Sequence, residues 1–150
     1  AILEQKAGRN RHAGFRMVQG APISFSSELL FPDRPTSIVL FSGLGNNSHF
    51  AEQVTSRYGP PSKLFAFPDH HQYRPEDLRK IVGALPSDPE NKRNLARAVI
   101  LTSEKDHARL RGEAWMTEFK DAPFYYVPAH LEPVWGSDLL DTHLRRITNQ

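Results

Sequence analysis

Ser37-Ile38-Val39-Leu40-Phe41-Ser42-Gly43-Leu44-Gly45-Asn46 is the stretch that decides the fold. Its first five residues form a compact apolar run rich in β-branched and aromatic side chains, the pattern of a strand buried on both faces. Gly43 and Gly45 follow at once and read as a tight turn. Asn46, Asn47 and Ser48 are all good helix caps, and a helix is expected from there to about Tyr58, where Gly59 and Pro60 stop it. Strand, glycine turn and helix make the first half of a βαβ unit.

The same grammar repeats downstream. Lys63–Phe67 reads as a second strand, with Pro68-Asp69-His70-His71 at its carboxyl end. Pro75 opens a helix, Glu76 and Asp77 suit its positive end, and Leu78, Ile81, Val82 and Leu85 give it one apolar face. Residues 86–95 read as a loop. Ala98–Thr102 is a third buried strand, followed by Ser103-Glu104-Lys105-Asp106, and Phe124–Val127 is a fourth. Ser137 is placed to cap a last helix lined by Leu139, Leu140, Leu144 and Ile147. Upstream, Ile23–Ser26 reads as a short half-buried strand. Residues 1–20 show no clear period and read as irregular or weakly helical. The alternation predicts an α/β domain: a three-layer, Rossmann-like fold with a mainly parallel sheet and helices on both faces. The expected division is residues 1–21 as a tail or the remnant of a preceding domain, and 22–150 as a single α/β domain.

Composition narrows the function. The chain has 150 residues and a formal net charge of +2, too even a balance to point to nucleic acid. Lys6, Arg9, Arg11 and Arg16 make the first twenty residues basic, which reads as a solvated terminus, with peripheral contact to an anionic membrane as the sharper alternative. Cysteine is absent from the sequence, so disulfides and thiolate metal sites are excluded. No apolar run approaches the ~18 residues of a transmembrane helix.

In parallel sheets, ligands collect at the carboxyl ends of the strands. Three polar clusters fall there: Ser42–Asn46, Asp69–His71 and Thr102–Asp106. Asp69 with His70 or His71 has the groups for proton transfer or metal binding. In extended chain the two adjacent histidines point apart, so at most one shares a site with a given partner. Taken alone, a turn-capping aspartate beside two surface histidines is the commoner arrangement. Glu104-Lys105-Asp106 suits either phosphate recognition or a local ion-pair network. Gly43 and Gly45 lie in neither the Walker pattern nor the dinucleotide pattern, and no Walker A sequence occurs in these 150 residues.

Phe41-Ser42-Gly43-Leu44-Gly45-Asn46 with Phe50 resembles the F-[SA]-G-I-G-N-P…F stretch of the tetraacyldisaccharide 4'-kinases, the lipid A kinases. Phe67-Pro68-Asp69-His70-His71 with Tyr73, Pro75, Asp77 and Leu78 resembles that family's F-P-D-H-H-x-[FY]-[ST]-x-x-D-[LI] segment. Thr102-Ser103-Glu104-Lys105-Asp106 with Leu110 resembles T-T-E-K-D-[AF]-V-K-L. Trp115 and Tyr125-Tyr126-Val127-Pro128 fit a later W-x-[LV]-P-[VI] block. The departures are small: Asn47-Ser48 stands in place of a proline, and Arg109 in place of a lysine.

The resemblance covers about residue 22 to the end and matches the family's carboxy-terminal half. It implies a part of a kinase that phosphorylates the 4'-position of a lipid A disaccharide precursor with ATP and Mg²⁺. The Walker motifs and catalytic carboxylate would lie in an amino-terminal P-loop half, the expected partner. It further implies His70 as the histidine supporting that carboxylate, Asp69 as its companion, and Asn46, Glu104, Lys105 and Asp106 as substrate- or phosphate-binding residues. No metal ligands are expected in this chain, no tight binding of ATP or Mg²⁺, and no activity without the P-loop half. The implied location is cytoplasmic, peripheral on the inner membrane. Two other readings stay open: a non-catalytic binding or docking domain, and a metal-dependent phosphoesterase of the Asp-His-His class. That class needs further aspartates at other strand ends to hold two metals; here no D-x-D sits on an earlier strand, and Asp33 lies in a turn.

Overall fold

The computed structural model describes residues 14–135. Contacts divide them into two compact units, Ala21–Pro128 and a smaller one of residues 14–20 with 129–135.

The larger unit holds a five-stranded sheet. Its strands are β2 (Ile23–Ser24), β3 (Ser37–Ser42), β4 (Lys63–Ala66), β5 (Ala98–Ser103) and β6 (Phe124–Val127), in the order β2-β6-β5-β3-β4. β4, β3, β5 and β6 run parallel, and only the two-residue edge strand β2 is antiparallel. The apolar runs fill the centre: all six residues of β5 and five of six in β3 are buried. β4, at the edge, is largely exposed.

Alternate side chains of β3 and β5 point to opposite faces, and each face meets its own helices. Ile38, Leu40, Val99 and Leu101 pack with Phe50 and Val54 of α1 (Asn47–Tyr58). Val39, Phe41 and Ile100 pack with Leu78 and Ile81 of α2 (Pro75–Gly83), Leu110 of α4 (Glu104–Leu110) and Phe119 of a 3-10 turn (Ala114–Phe119). The α/β architecture expected from the strand and helix periods is therefore present, with β2 as its one antiparallel strand. The chain leaves β3 toward β4 and returns past it to β5, so the order reverses between β3 and β5. In such sheets the crevice at that reversal is where ligands bind.

Two local readings differ from the structure. A one-turn helix, α3 (Lys92–Leu95), lies inside the expected loop, where Thr36 Oγ1 donates to Asn94 O at 2.6 Å and Arg97 donates to Arg34 O. Tertiary hydrogen bonds hold a turn there that its own residues would not sustain. Residues 14–19, expected as irregular or weakly helical, form β1 (Gly14–Gln19). It pairs antiparallel with β7 (Ala129–Trp135), placing Arg16 opposite Glu132 and Met17 opposite Leu131. Each strand is short and β7 contains Pro133, so the pairing, rather than either pattern, defines them. The helix expected after Ser137 lies outside the described residues.

His107 sits in the aromatic packing beside β6, stacked on Tyr126 with ring centroids 4.1 Å apart and tilted against Phe25 at 4.5 Å. Burial, and then the nearby Arg111 charge, hold its imidazole below the usual histidine range against the opposing pull of Glu104. The folded state therefore favours the neutral ring. Its contribution to stability is complete above about pH 6.5 and is lost as pH falls below that value, because the unfolded chain takes up the proton first. Urea denaturation midpoints should fall between pH 7.5 and 5.5, and His107→Gln should reduce that fall. An unchanged pH dependence in the variant would contradict this assignment.

Candidate functional site

The glycine turn after β3 is fastened from inside. Asn47, the first residue of α1, accepts from Ser42 Oγ at 2.7 Å and Leu44 N at 2.9 Å, and its Nδ2 donates to Phe67 O at 2.7 Å. One side chain thus ties the end of β3 to the residue following β4. Asn46 does the capping, its Oδ1 accepting from His49 N at 3.0 Å. Space is tight at Gly43: a Cβ there would lie 3.1 Å from Pro68 O, 3.2 Å from Tyr73 Oη and 3.3 Å from Asp106 Oδ1.

Those neighbours belong to the centre of the site. Asp106, on the first turn of α4, is 0% exposed. Its carboxylate accepts from Gly43 N at 3.1 and 3.2 Å, Tyr73 Oη at 2.8 Å, Ser103 Oγ at 2.5 Å and Arg109 Nη1 at 3.1 Å. Ser103 completes the cap by accepting from Asp106 N at 3.1 Å. Removing a carboxylate from water costs several kcal/mol, and four donating groups are what make this burial tolerable. Burial first, and then the Asp106 charge, push the Tyr73 phenol well above its ordinary value, so it stays a donor. The carboxylate thereby links the turn after β3 to the end of β5.

The Asp69–His71 turn stands beside this network. His70 adopts a positive φ of 59°, so the two histidines diverge through a left-handed turn and not through extended chain. His71 turns inward: it stacks on Phe67 with centroids 4.5 Å apart, and its Nε2 lies 3.0 Å from Asp77 Oδ2. Burial opposes ionisation of Asp77, but hydrogen bonds from His71 and from Arg74 N outweigh it and hold the carboxyl below the usual range. His70 turns outward, its side chain 80% exposed. Its backbone N–H donates to Asp69 Oδ1 at 3.0 Å, and its Nδ1 lies 3.3 Å from Arg109 Nη2. An open cleft of about 490 Å³ runs along this edge, lined by His70, His71, Gln72, Tyr73, Arg109 and Glu113.

Of the residues singled out by sequence, Asp69, His70 and Asp106 come together, linked through Arg109. Glu104 and Lys105 lie exposed on α4, and Asn46 is exposed at the start of α1. Sequence reasoning passed over Arg109 and Asn47, noting the first only as a replacement for lysine and the second as a harmless one for proline. A basic residue three positions after an acid, on one face of the same helix, was the available signal for Arg109. The glycine turn does not fit a triphosphate: the amides of Gly43 and Leu44, which a phosphate would need, are donated to Asp106 and Asn47. Among the described residues no three His, Asp or Glu side chains converge as metal ligands.

Asp106→Ala should destabilise the fold by about 3–5 kcal/mol, because it strands three buried donors and the part-buried, charged Arg109. Tyr73→Phe, which removes one donor of four, should cost about 1 kcal/mol. Urea unfolding of the two variants measures both, and equal losses would contradict a carboxylate-centred network.

A family model for tetraacyldisaccharide-1-P 4'-kinase matches residues 4–149. The tetraacyldisaccharide 4'-kinases of Brucella ovis and Brucella canis are each 33% identical over 70 residues, 47% of this chain and 18% of theirs. The match thus spans about a fifth of the length of these relatives. The structure of LpxK from Aquifex aeolicus in complex with ATP shares the fold with a TM-score of 0.50 at 18% identity, over 87% of this chain and 35% of that one. With motifs, family model and fold in agreement, the chain belongs to the tetraacyldisaccharide-1-phosphate 4'-kinase family.

Proposed function

We propose that this chain supplies the histidine-bearing part of a kinase that transfers the γ-phosphate of ATP to the 4'-hydroxyl of a lipid A disaccharide precursor. ATP and Mg²⁺ are held by a P-loop half outside these 150 residues. The observation that carries the reading is His70: an exposed imidazole at a strand end, set on a strained turn and flanked by Asp69 and Arg109. A side chain built this way is shaped to meet something beyond its own domain.

The chemistry follows from phosphoryl transfer. The 4'-hydroxyl oxygen attacks the γ-phosphorus, the bond to the β-phosphate oxygen breaks, and a carboxylate on the P-loop half takes the hydroxyl proton. His70 holds that carboxylate in place, as the third member of a triad holds its base. Asp69 fixes the turn through His70 N, and Asp106 braces the site from beneath. Lys105, Glu104 and Asn46 stand exposed near the same strand ends, where a phosphate or sugar would be met. The enzyme works at the cytoplasmic face of the inner membrane, held peripherally. Among the described residues no helix is long and apolar enough to cross a membrane.

In the kinase containing its P-loop half, His70→Ala should lower kcat by roughly 10²-fold, because the carboxylate that takes the proton loses its orientation, with the unfolding midpoint unchanged. His71→Ala should do the reverse. It costs about 1–2 kcal/mol of stability through the lost Asp77 hydrogen bond and Phe67 stack, with a milder effect on turnover. Wild-type turnover in His70→Ala, or equal kinetic loss in both variants, would overturn the assignment.

A further inference from the structure

Arg109 lies between a buried carboxylate and an exposed imidazole. Its Nη1 is anchored, donating to Gly43 O at 2.8 Å and Asp106 Oδ1 at 3.1 Å. Its Nη2 lies 3.3 Å from His70 Nδ1 and 3.8 Å from Asp69 Oδ1. A guanidinium carries five N–H donors and no acceptor. A hydrogen bond from Nη2 to Nδ1 therefore requires Nδ1 to be unprotonated, which places the proton of the neutral ring on Nε2. That nitrogen is 3.6 Å from Asp69 Oδ2, beyond a normal hydrogen bond, so its N–H remains available to another acceptor. The anchor comes from the core: Asp106 is fully buried, and the Gly43 carbonyl belongs to the turn that Asn47 fastens. Three charged groups face His70 or line its cleft, namely Arg109, Asp69 and Glu113.

We propose that Arg109 is a positioning residue. Held by Asp106 and the Gly43 carbonyl, it fixes His70 in the Nε2–H tautomer, so that the ring presents a donor and not a lone pair at Nε2. The role rests on the reading of His70 as the side chain that orients the kinase's carboxylate. A carboxylate needs a donor from the ring, and the Nδ1–H tautomer would present a lone pair at Nε2 instead. Asp106, Arg109 and His70 then form a relay of position, from a fully buried group to a reactive edge, with no proton passing along it.

Ring ¹⁵N chemical shifts of His70 in the 150-residue chain, assigned with His70→Gln and taken where the ring is neutral, read the tautomer directly. The expected result is Nε2–H alone in the wild type and a mixture in Arg109→Met. A wild-type ring protonated at Nδ1 overturns the proposal, because no arginine hydrogen bond to it is then possible. In the kinase with its P-loop half, Arg109→Met should lower kcat roughly tenfold at unchanged KM, the loss of one hydrogen bond to a charged group. Arg109→Lys, which keeps a cationic donor, should restore most of it. Unchanged kcat in a folded Arg109→Met protein would contradict the role. Should that variant fail to fold, Arg109→Gln, whose amide can still hydrogen-bond Asp106 but is too short for His70, is read by the same two measurements. If His70→Ala itself keeps wild-type turnover, the kinase reading fails, and the tautomer data still decide whether Arg109 orients the ring.

Discussion

A carboxylate with no access to water has to be surrounded by donors, and Asp106 draws its donors from four separate places in the chain. Gly43 lies after β3, Tyr73 precedes α2, Ser103 ends β5, and Arg109 is one turn further along α4. Each of those groups has a second duty. Gly43 leaves room for a close approach, Tyr73 packs edge-on against Phe41, Ser103 caps α4, and Arg109 reaches His70. Losing the carboxylate would uncouple all four at once, since a half-satisfied buried network is worse than an apolar one. The constraint therefore ties the sheet's carboxyl edge to the residues that face outward from it.

This arrangement changes what the crevice between β3 and β5 is for. In an open parallel sheet that position commonly receives a ligand. Here Asp106 bridges the two strand ends, and the amides of Gly43 and Leu44 are donated internally. What the edge offers to its surroundings is an imidazole on a left-handed turn, with a cleft of about 490 Å³ alongside. The Brucella relatives are between five and six times as long as the aligned 70 residues.

The architecture was legible in sequence where side-chain pattern and burial coincide. The runs 37–41 and 98–102 are apolar throughout because both faces of a central strand are covered, and Leu78 with Ile81 shows helical spacing because one face meets the sheet. β1 and β7 were not legible, since each is stabilised by the other across more than a hundred residues and Pro133 reads as a break. The motifs placed Asp69, His70 and Asp106 at the strand ends, and the structure brings these three together around Arg109. They did not reveal that Asp106 is buried, because a carboxylate at a helix start usually faces water. Nor did they separate the two histidines for the right reason: the divergence comes from a positive φ at His70, which no sequence pattern announced. Arg109 and Asn47 act through contacts 39 and 20 residues away, distances over which periodicity carries no information.

The central claim is that this chain completes a phosphoryl-transfer site without containing the nucleotide cradle. The most direct test is a reconstitution assay, measuring transfer of γ-phosphate from ATP to a tetraacylated disaccharide acceptor by this chain, by the P-loop half, and by both together. The account predicts negligible transfer by either alone and turnover when they are combined. Transfer by this chain alone, or full-rate transfer by the P-loop half without it, would contradict the account.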